Sequence, residues 1–226
     1  MKICIFADIH GNGPAFKSAY EMITKEDADL NIFLGDICGY YFDQQQIYEM
    51  LSSLPNLIAI KGNHDQMFLE LLWGDDTSRK DYRIKYGNSI ERLIADGSSD
   101  LREWLLKLPE SYYSPKLGLG CYHASPWGSM EGYVYPDSSL KKFLDYEPTI
   151  FILGHTHYPM VRTISDKLIV NPGSLGQPRN SALPTYAIID FPSKKVTFRE
   201  VSYDNAELIK QIDKFGSNKE YLKNFL

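Results

Sequence analysis

All five histidines of this 226-residue chain lie in short motifs that also hold Asp, Asn or Gly. They are His10 in DIHGN, His64 in GNHD, His123 in CYHASP, and His155 and His157 in GHTH. Imidazole is the commonest metal ligand among neutral nitrogen groups and titrates near neutrality. Taken singly, a histidine at a strand end is more often a satisfied polar residue than a ligand, and D-x-H or G-D alone says little. GNHD and GHTH say more, because polar clusters of this kind do not help a chain fold. Burying them unpaired costs on the order of several kcal/mol per group. The ordered set is expected to build a metal site.

The donors available are Asp8, Asp36, the Asn63 amide oxygen and up to five imidazoles. That is too many for one tetrahedral zinc. It suits two divalent or trivalent ions with mixed N/O shells, drawn from manganese, iron, zinc, nickel and cobalt. A carboxylate must bridge to hold such a pair roughly 3.5–4 Å apart. Asp36 is the natural bridge, standing alone after Gly35 and between the other motifs in chain order. Asp8 and His10 are two residues apart, as are His155 and His157, so in extended chain each pair faces one cavity.

The elements that must position these groups read as strand–turn–helix repeats. Residues 2–7, 30–34 and 57–60 are short apolar runs, each ending at a motif. Residues 14–24 and 43–54 carry apolar positions at helical spacing. This order argues for a parallel α/β layer, whose ligands sit at the carboxyl ends of strands. Residues 66–110 read as a charged helical insertion, broken at DGSSD (96–100) with Ser99 or Asp100 as N-cap. Beyond it come β-like runs at 117–122, 149–153, 160–164, 168–170, 185–189 and 195–201, interrupted by a helix over about 138–144. Residues 204–225 read as an amphipathic helix broken at Phe215-Gly216 and packing on its own domain.

A chain of this length with 43% apolar residues is expected to form one domain over 1–226. The net charge of −5 and the lack of a Lys/Arg run make polymeric nucleic acid a poor partner. No run reaches the ~20 apolar residues of a spanning helix. The N-terminus does not resemble an export signal. Cys4, Cys38 and Cys121 are scattered and odd in number, so reduced thiols and a cytoplasmic location are expected. Oligomeric state is left open.

The ordered set D-x-H, G-D, G-N-H-D, H and G-H-T-H, followed by N-P-G-S at 171–174, resembles the calcineurin-like metallophosphoesterases over residues 1 to about 190. GDICGY and NPGSLGQPR further resemble the small prokaryotic branch of phosphodiesterases and diadenosine-tetraphosphatase-like proteins. The resemblance implies a four-layer α-β-β-α sandwich of two mixed sheets flanked by helices. It places Asp8, His10 and His157 on one metal, Asn63, His123 and His155 on the other, and Asp36 between them. It leaves His64 free to give a proton to the leaving oxygen, with Asp65 orienting it. The expected chemistry is hydrolysis of a phosphodiester or nucleotide-type ester by in-line attack of a metal-bridging hydroxide. The alternatives are a phosphomonoesterase or protein phosphatase, and a non-catalytic metal-binding scaffold. Substrate contacts are expected from Arg179, from Asn12, and from aromatics after His123, chiefly Trp127 and Tyr133, with Tyr135, Tyr82 and Tyr86 at the same mouth.

Overall fold

A computed structural model describes residues 1–97, 99–179 and 183–226. Two five-stranded sheets carry the site. In the first, strands β1 (Lys2–Phe6), β2 (Leu30–Phe33) and β3 (Leu57–Ala59) run parallel; β9 (Thr185–Asp190) and β10 (Lys195–Glu200) complete the order β10-β9-β1-β2-β3. β9 runs antiparallel to β1, so the sheet is mixed. In the second, the parallel strands β5 (Leu119–Tyr122), β6 (Ile150–Leu153) and β8 (Lys167–Asn171) lie between antiparallel edges, β4 (Ser111–Ser114) and β7 (Met160–Ile164).

Alternation along the strands divides the core into layers. Ile3, Ile5, Ile32 and Leu34 of the first sheet meet Cys121, Ile150, Ile152 and Val170 of the second. Their neighbours Cys4, Phe6 and Phe33 face outward onto helices α1 (Gly13–Lys25), α2 (Gln44–Ser53) and α6 (Ser99–Lys107). Phe151, Leu153 and Ile169 form the outer face of the second sheet and pack on Phe143 and Val134.

The helical insertion is four helices: α3 (Asn63–Leu72), α4 (Asp76–Tyr86), α5 (Ser89–Asp96) and α6. The break before α6 includes Gly97 in a left-handed conformation. Ser99 and Asp100 lie inside α6, and the N-cap position, 98, falls outside the described residues. The helix expected over 138–144 is a single 3-10 turn, Lys141–Asp145, because only Leu140 and Phe143 need burial there. Strand β4 has no counterpart in the sequence reading; its SYYS run is short and half-exposed, giving little apolar contrast. The C-terminal stretch is α7 (Ala206–Phe215) and α8 (Lys219–Lys223), packed on Tyr40 and Tyr41 through Leu208, Ile212 and Leu222. Among the described residues no helix is long and apolar enough to cross a membrane. The three cysteines are buried and unpaired.

Candidate metal centre

The carboxyl ends of β1, β2, β3, β5, β6 and β8 converge on one edge of the two sheets. Asp8, Asp36, His123 and His155 each follow one of these strands by one to three residues. The backbone there is not extended. Asp8, His10, Asp36, His155 and His157 all have φ between +51° and +67°. Left-handed φ is uncommon outside glycine, and strain of about 1–3 kcal/mol per residue gathers at functional sites. Asp8 and His10 therefore share a cavity through a left-handed loop rather than through strand alternation, which corrects the extended-chain expectation. The loop is held by Asp36, whose carbonyl accepts from Ile9 and His10 N–H, both at 2.9 Å.

Other motif residues brace these loops. Asp65 accepts from the amides of Asp36 (2.8 Å), Cys38 (2.9 Å) and Gly62 (3.0 Å), clamping GDIC to GNHD. Ser174 Oγ donates to the Asp8 carbonyl at 2.7 Å, and Asn171 Nδ2 donates to the Gly154 carbonyl at 2.6 Å. That is what NPGS does here. Gly62 lies so close to Asp36 that any Cβ would overlap its carboxylate.

The imidazoles are aimed. His10 donates through Nδ1 to the Cys38 carbonyl, and His157 through Nδ1 to the Gln177 carbonyl, both at 2.8 Å. Each Nε2 then carries a lone pair, because burial drives His10 down to about 3 and His157 well below its usual value. Yet the two Nε2 atoms lie 3.1 Å apart. Two lone pairs facing one another at that distance repel, and a metal cation bound by both would relieve the repulsion. Two donors roughly 2.1 Å from one metal and at right angles to each other are about 3 Å apart. Asp8 Oδ1 is 3.6 Å from His157 Nε2 and 3.9 Å from His10 Nε2, completing this set.

On the other side Asn63 Oδ1 is 2.9 Å from His123 Nε2 and 2.8 Å from His155 Nδ1. His123 Nδ1 donates to the Leu34 carbonyl at 2.7 Å, and His155 Nε2 is buried without a hydrogen-bond partner among the described residues. Asp36 Oδ2 stands between the two sets, 3.3 Å from His123 Nε2 and 3.7 Å from His10 Nε2. Three Asp/His triads here have ligand atoms within 4.8 Å of one another, and Asp36 belongs to two of them. The donor set fits metal cations.

Electrostatics agree. Burial, with Asp36 close by, pushes Asp8 well above the carboxylate range. Burial also opposes ionisation of Asp36, but His123, His64 and His10 outweigh it and hold Asp36 well below that range. Burial alone would lower His123; Asp36 and Asp8 instead raise it to about 9. In the metal-free protein, then, a protonated His123 faces Asp36. That pair stabilises the fold fully below pH 6.5, the ordinary histidine value, and the contribution fades as pH rises through about 9. A metal must expel the proton. Apparent affinity for Mn²⁺ is therefore expected to rise about tenfold per pH unit between 6.5 and 9 and to level off above. Calorimetric titration in two buffers of different ionisation enthalpy measures the released proton; affinity flat across that window would show that Asp36 and Asp8 do not hold His123 protonated.

Beside the cluster opens a cleft of about 250 Å³, walled by Tyr40, His64, Tyr86, Tyr133, Tyr135, His157, Tyr158 and Arg179 among others. His64 Nδ1 is 3.0 Å from the Tyr82 hydroxyl. The orienting group expected for His64 was Asp65, but both Asp65 oxygens are taken by the three amides, so Tyr82 holds that place. Tyr133 lies over His155, ring centres 4.2 Å apart, and stacks on Tyr135. Trp127 does not reach the cleft. It packs on Phe143 with ring centres 5.0 Å apart, part of the outer core of the second sheet. Nor does Asn12: its Oδ1 caps α1 through Ala15 N–H at 3.1 Å, and its Nδ2 donates to the Gly176 carbonyl at 3.1 Å. Both are structural, which corrects their expected substrate role. Tyr40, Tyr158 and Thr156 also line the cleft, and the sequence carries no chemical signal for them. Their only signal was proximity to GDICGY and GHTH.

Residues 1–194 match the calcineurin-like phosphoesterase superfamily domain. The chain belongs to that superfamily. This phosphoesterase is 25% identical to Phosphodiesterase MJ0936 of Methanocaldococcus jannaschii, over 89% of this chain and 98% of that one. The metallophosphoesterase from Sphaerobacter thermophilus superposes with a TM-score of 0.78 at 24% identity, covering 95% and 94% of the two chains. The hypothetical protein PH1004 from Pyrococcus horikoshii OT3 gives 0.82 at 22% identity, covering 99% and 97%. The two structures share the fold. A phosphoesterase of this superfamily carrying such a donor cluster is a metal-dependent phosphoric ester hydrolase.

Proposed function

We propose that the chain, acting as one domain over 1–226, is a dinuclear metal phosphoesterase that hydrolyses a small phosphodiester or nucleotide-type ester. The observation that carries this is the pair of Nε2 lone pairs of His10 and His157, 3.1 Å apart, with Asp36 between them and the Asn63–His123–His155 set. The resemblance to a phosphodiesterase over nearly the whole chain favours the diester. Two metal ions bound there supply an activated water and Lewis acidity that neutralises phosphoryl charge.

The chain's own residues do the rest. In this reading the Tyr82 hydroxyl, kept protonated by burial, donates to His64 Nδ1. That places the ring proton of neutral His64 on Nε2, facing the cleft. There that N–H can donate a hydrogen bond that stabilises charge on the leaving oxygen or the phosphoryl group. Arg179 presents a guanidinium edge to a non-bridging oxygen. Tyr133, Tyr135 and Tyr86 offer ring faces to the leaving group.

Turnover of bis-p-nitrophenyl phosphate against p-nitrophenyl phosphate, with Mn, Fe, Zn, Ni or Co added, tests the reading. Faster cleavage of the diester is expected. Preference for the monoester would make this a phosphomonoesterase; metal uptake with no cleavage of any ester would leave a metal-binding scaffold. Tyr82→Phe removes one neutral hydrogen bond, and kcat is expected to fall about three- to tenfold. An unchanged kcat would mean that His64 does not depend on Tyr82.

A further inference from the structure

Arg179 lines the cleft beside His157 and Tyr158 and is fixed by no carboxylate among the described residues. Its N–H donates to the His157 carbonyl at 3.2 Å, and His157 Nδ1 donates to the Gln177 carbonyl, so this loop and His157 are tied twice. The guanidinium carbon lies 3.7 Å from the centre of the Phe225 ring. Nη2 makes only a long contact of 3.5 Å to Gln177 Oε1, and Nη1 is buried without any hydrogen-bond partner among the described residues. The guanidinium thus lines the cleft with its charge uncancelled by any carboxylate among the described residues.

The stack explains how that state is held. A ring under the guanidinium satisfies its face and leaves its in-plane donors free. Being neutral, the ring fixes the side chain without cancelling its charge, as a carboxylate would. Phe225 lies beyond the 1–194 superfamily match, in a C-terminal segment anchored on the site loops. Tyr41 donates to the Leu222 carbonyl at 3.1 Å, and Tyr221 packs on Tyr40, whose ring in turn meets the His10 edge.

We propose that the C-terminal segment is a working part of the site: Phe225 is a positioning residue that holds Arg179 as the receptor for an anionic phosphoryl oxygen of the substrate. This rests on the phosphoesterase reading above.

The test uses the full-length, Mn-loaded protein and two readouts, calorimetric binding of inorganic phosphate and turnover of bis-p-nitrophenyl phosphate. Phe225→Leu keeps an apolar cover but removes the ring. It is expected to weaken phosphate binding roughly five- to tenfold and to raise KM in step, the loss falling in KM rather than kcat. Phe225→Trp should restore both. Arg179→Ala should weaken binding further, and adding Phe225→Leu to it should change nothing more. Three results would overturn the proposal: phosphate affinity indifferent to Phe225→Leu, additive losses in the double variant, or a wild-type protein that binds no phosphate. Phosphate binding that follows this pattern in a protein that cleaves no ester would sink the phosphoesterase reading and leave the Arg179–Phe225 receptor standing.

Discussion

Asp36→Asn is expected to empty both metal positions at once and to lower turnover by at least about 10³-fold. The reason is geometric. Asp36 Oδ1 accepts from the His64 amide at 2.8 Å, while Oδ2 faces His123 and His10 at 3.3 and 3.7 Å. Both oxygens are engaged as acceptors. An asparagine in this place must turn its NH₂ either toward the His64 N–H, a donor against a donor, or toward the metals, a donor against cations. Neither orientation works, and the neutral amide also removes the charge shared by the two sites. Metal analysis of the purified variant, beside its kcat, measures the effect. A variant that keeps one ion per chain and turns over within tenfold of wild type would show that Asp36 does not bridge.

His64→Ala is expected to leave metal content near wild type and to lower kcat by about 10²–10³-fold, the usual worth of one hydrogen-bond donor to charge developing in the transition state. His64 lies within ligand distance of His10 and Asp36, so geometry alone would also allow it to bind metal. Its Nδ1, however, is committed to Tyr82. Removing the imidazole leaves the buried Tyr82 hydroxyl without that partner, at a cost of about 1–3 kcal/mol of stability. The double variant His64→Ala/Tyr82→Phe should recover part of that stability without recovering kcat, separating chemistry from folding. Loss of metal in His64→Ala would make His64 a ligand and refute its role as the hydrogen-bond donor.

Much of the fold was legible because its strands are short apolar runs, each closed by a polar motif. Burial on both faces of β1, β2 and β6 leaves no other reading for those runs. Where burial is one-sided or weak, the sequence carries little contrast. Half-exposed β4 gives no strand signal, and the apolar spacing over 138–144 suggests a helix where the chain makes a 3-10 turn. In the site, Asp8, His10, Asp36, Asn63, His123, His155 and His157 were all singled out from types and order, and the structure brings all seven together. Trp127 and Asn12 were misassigned because closeness in sequence to a motif says nothing about direction: one side chain turns into a hydrophobic layer and the other back onto its own helix.

The sequence by itself determined the chemistry available, since donors of these types, placed after buried strands, have no use in a core and need a cation. Only the tertiary structure decided how each donor is aimed. Backbone carbonyls from distant segments fix the imidazole tautomers, as Leu34 does for His123 and Gln177 for His157. It also decided that Tyr82, and not the neighbouring Asp65, holds His64, and that Phe225 at the far end of the chain holds Arg179. Those pairings depend on long-range packing, where a side chain's partner is set by its direction and distance in space, and local sequence encodes neither.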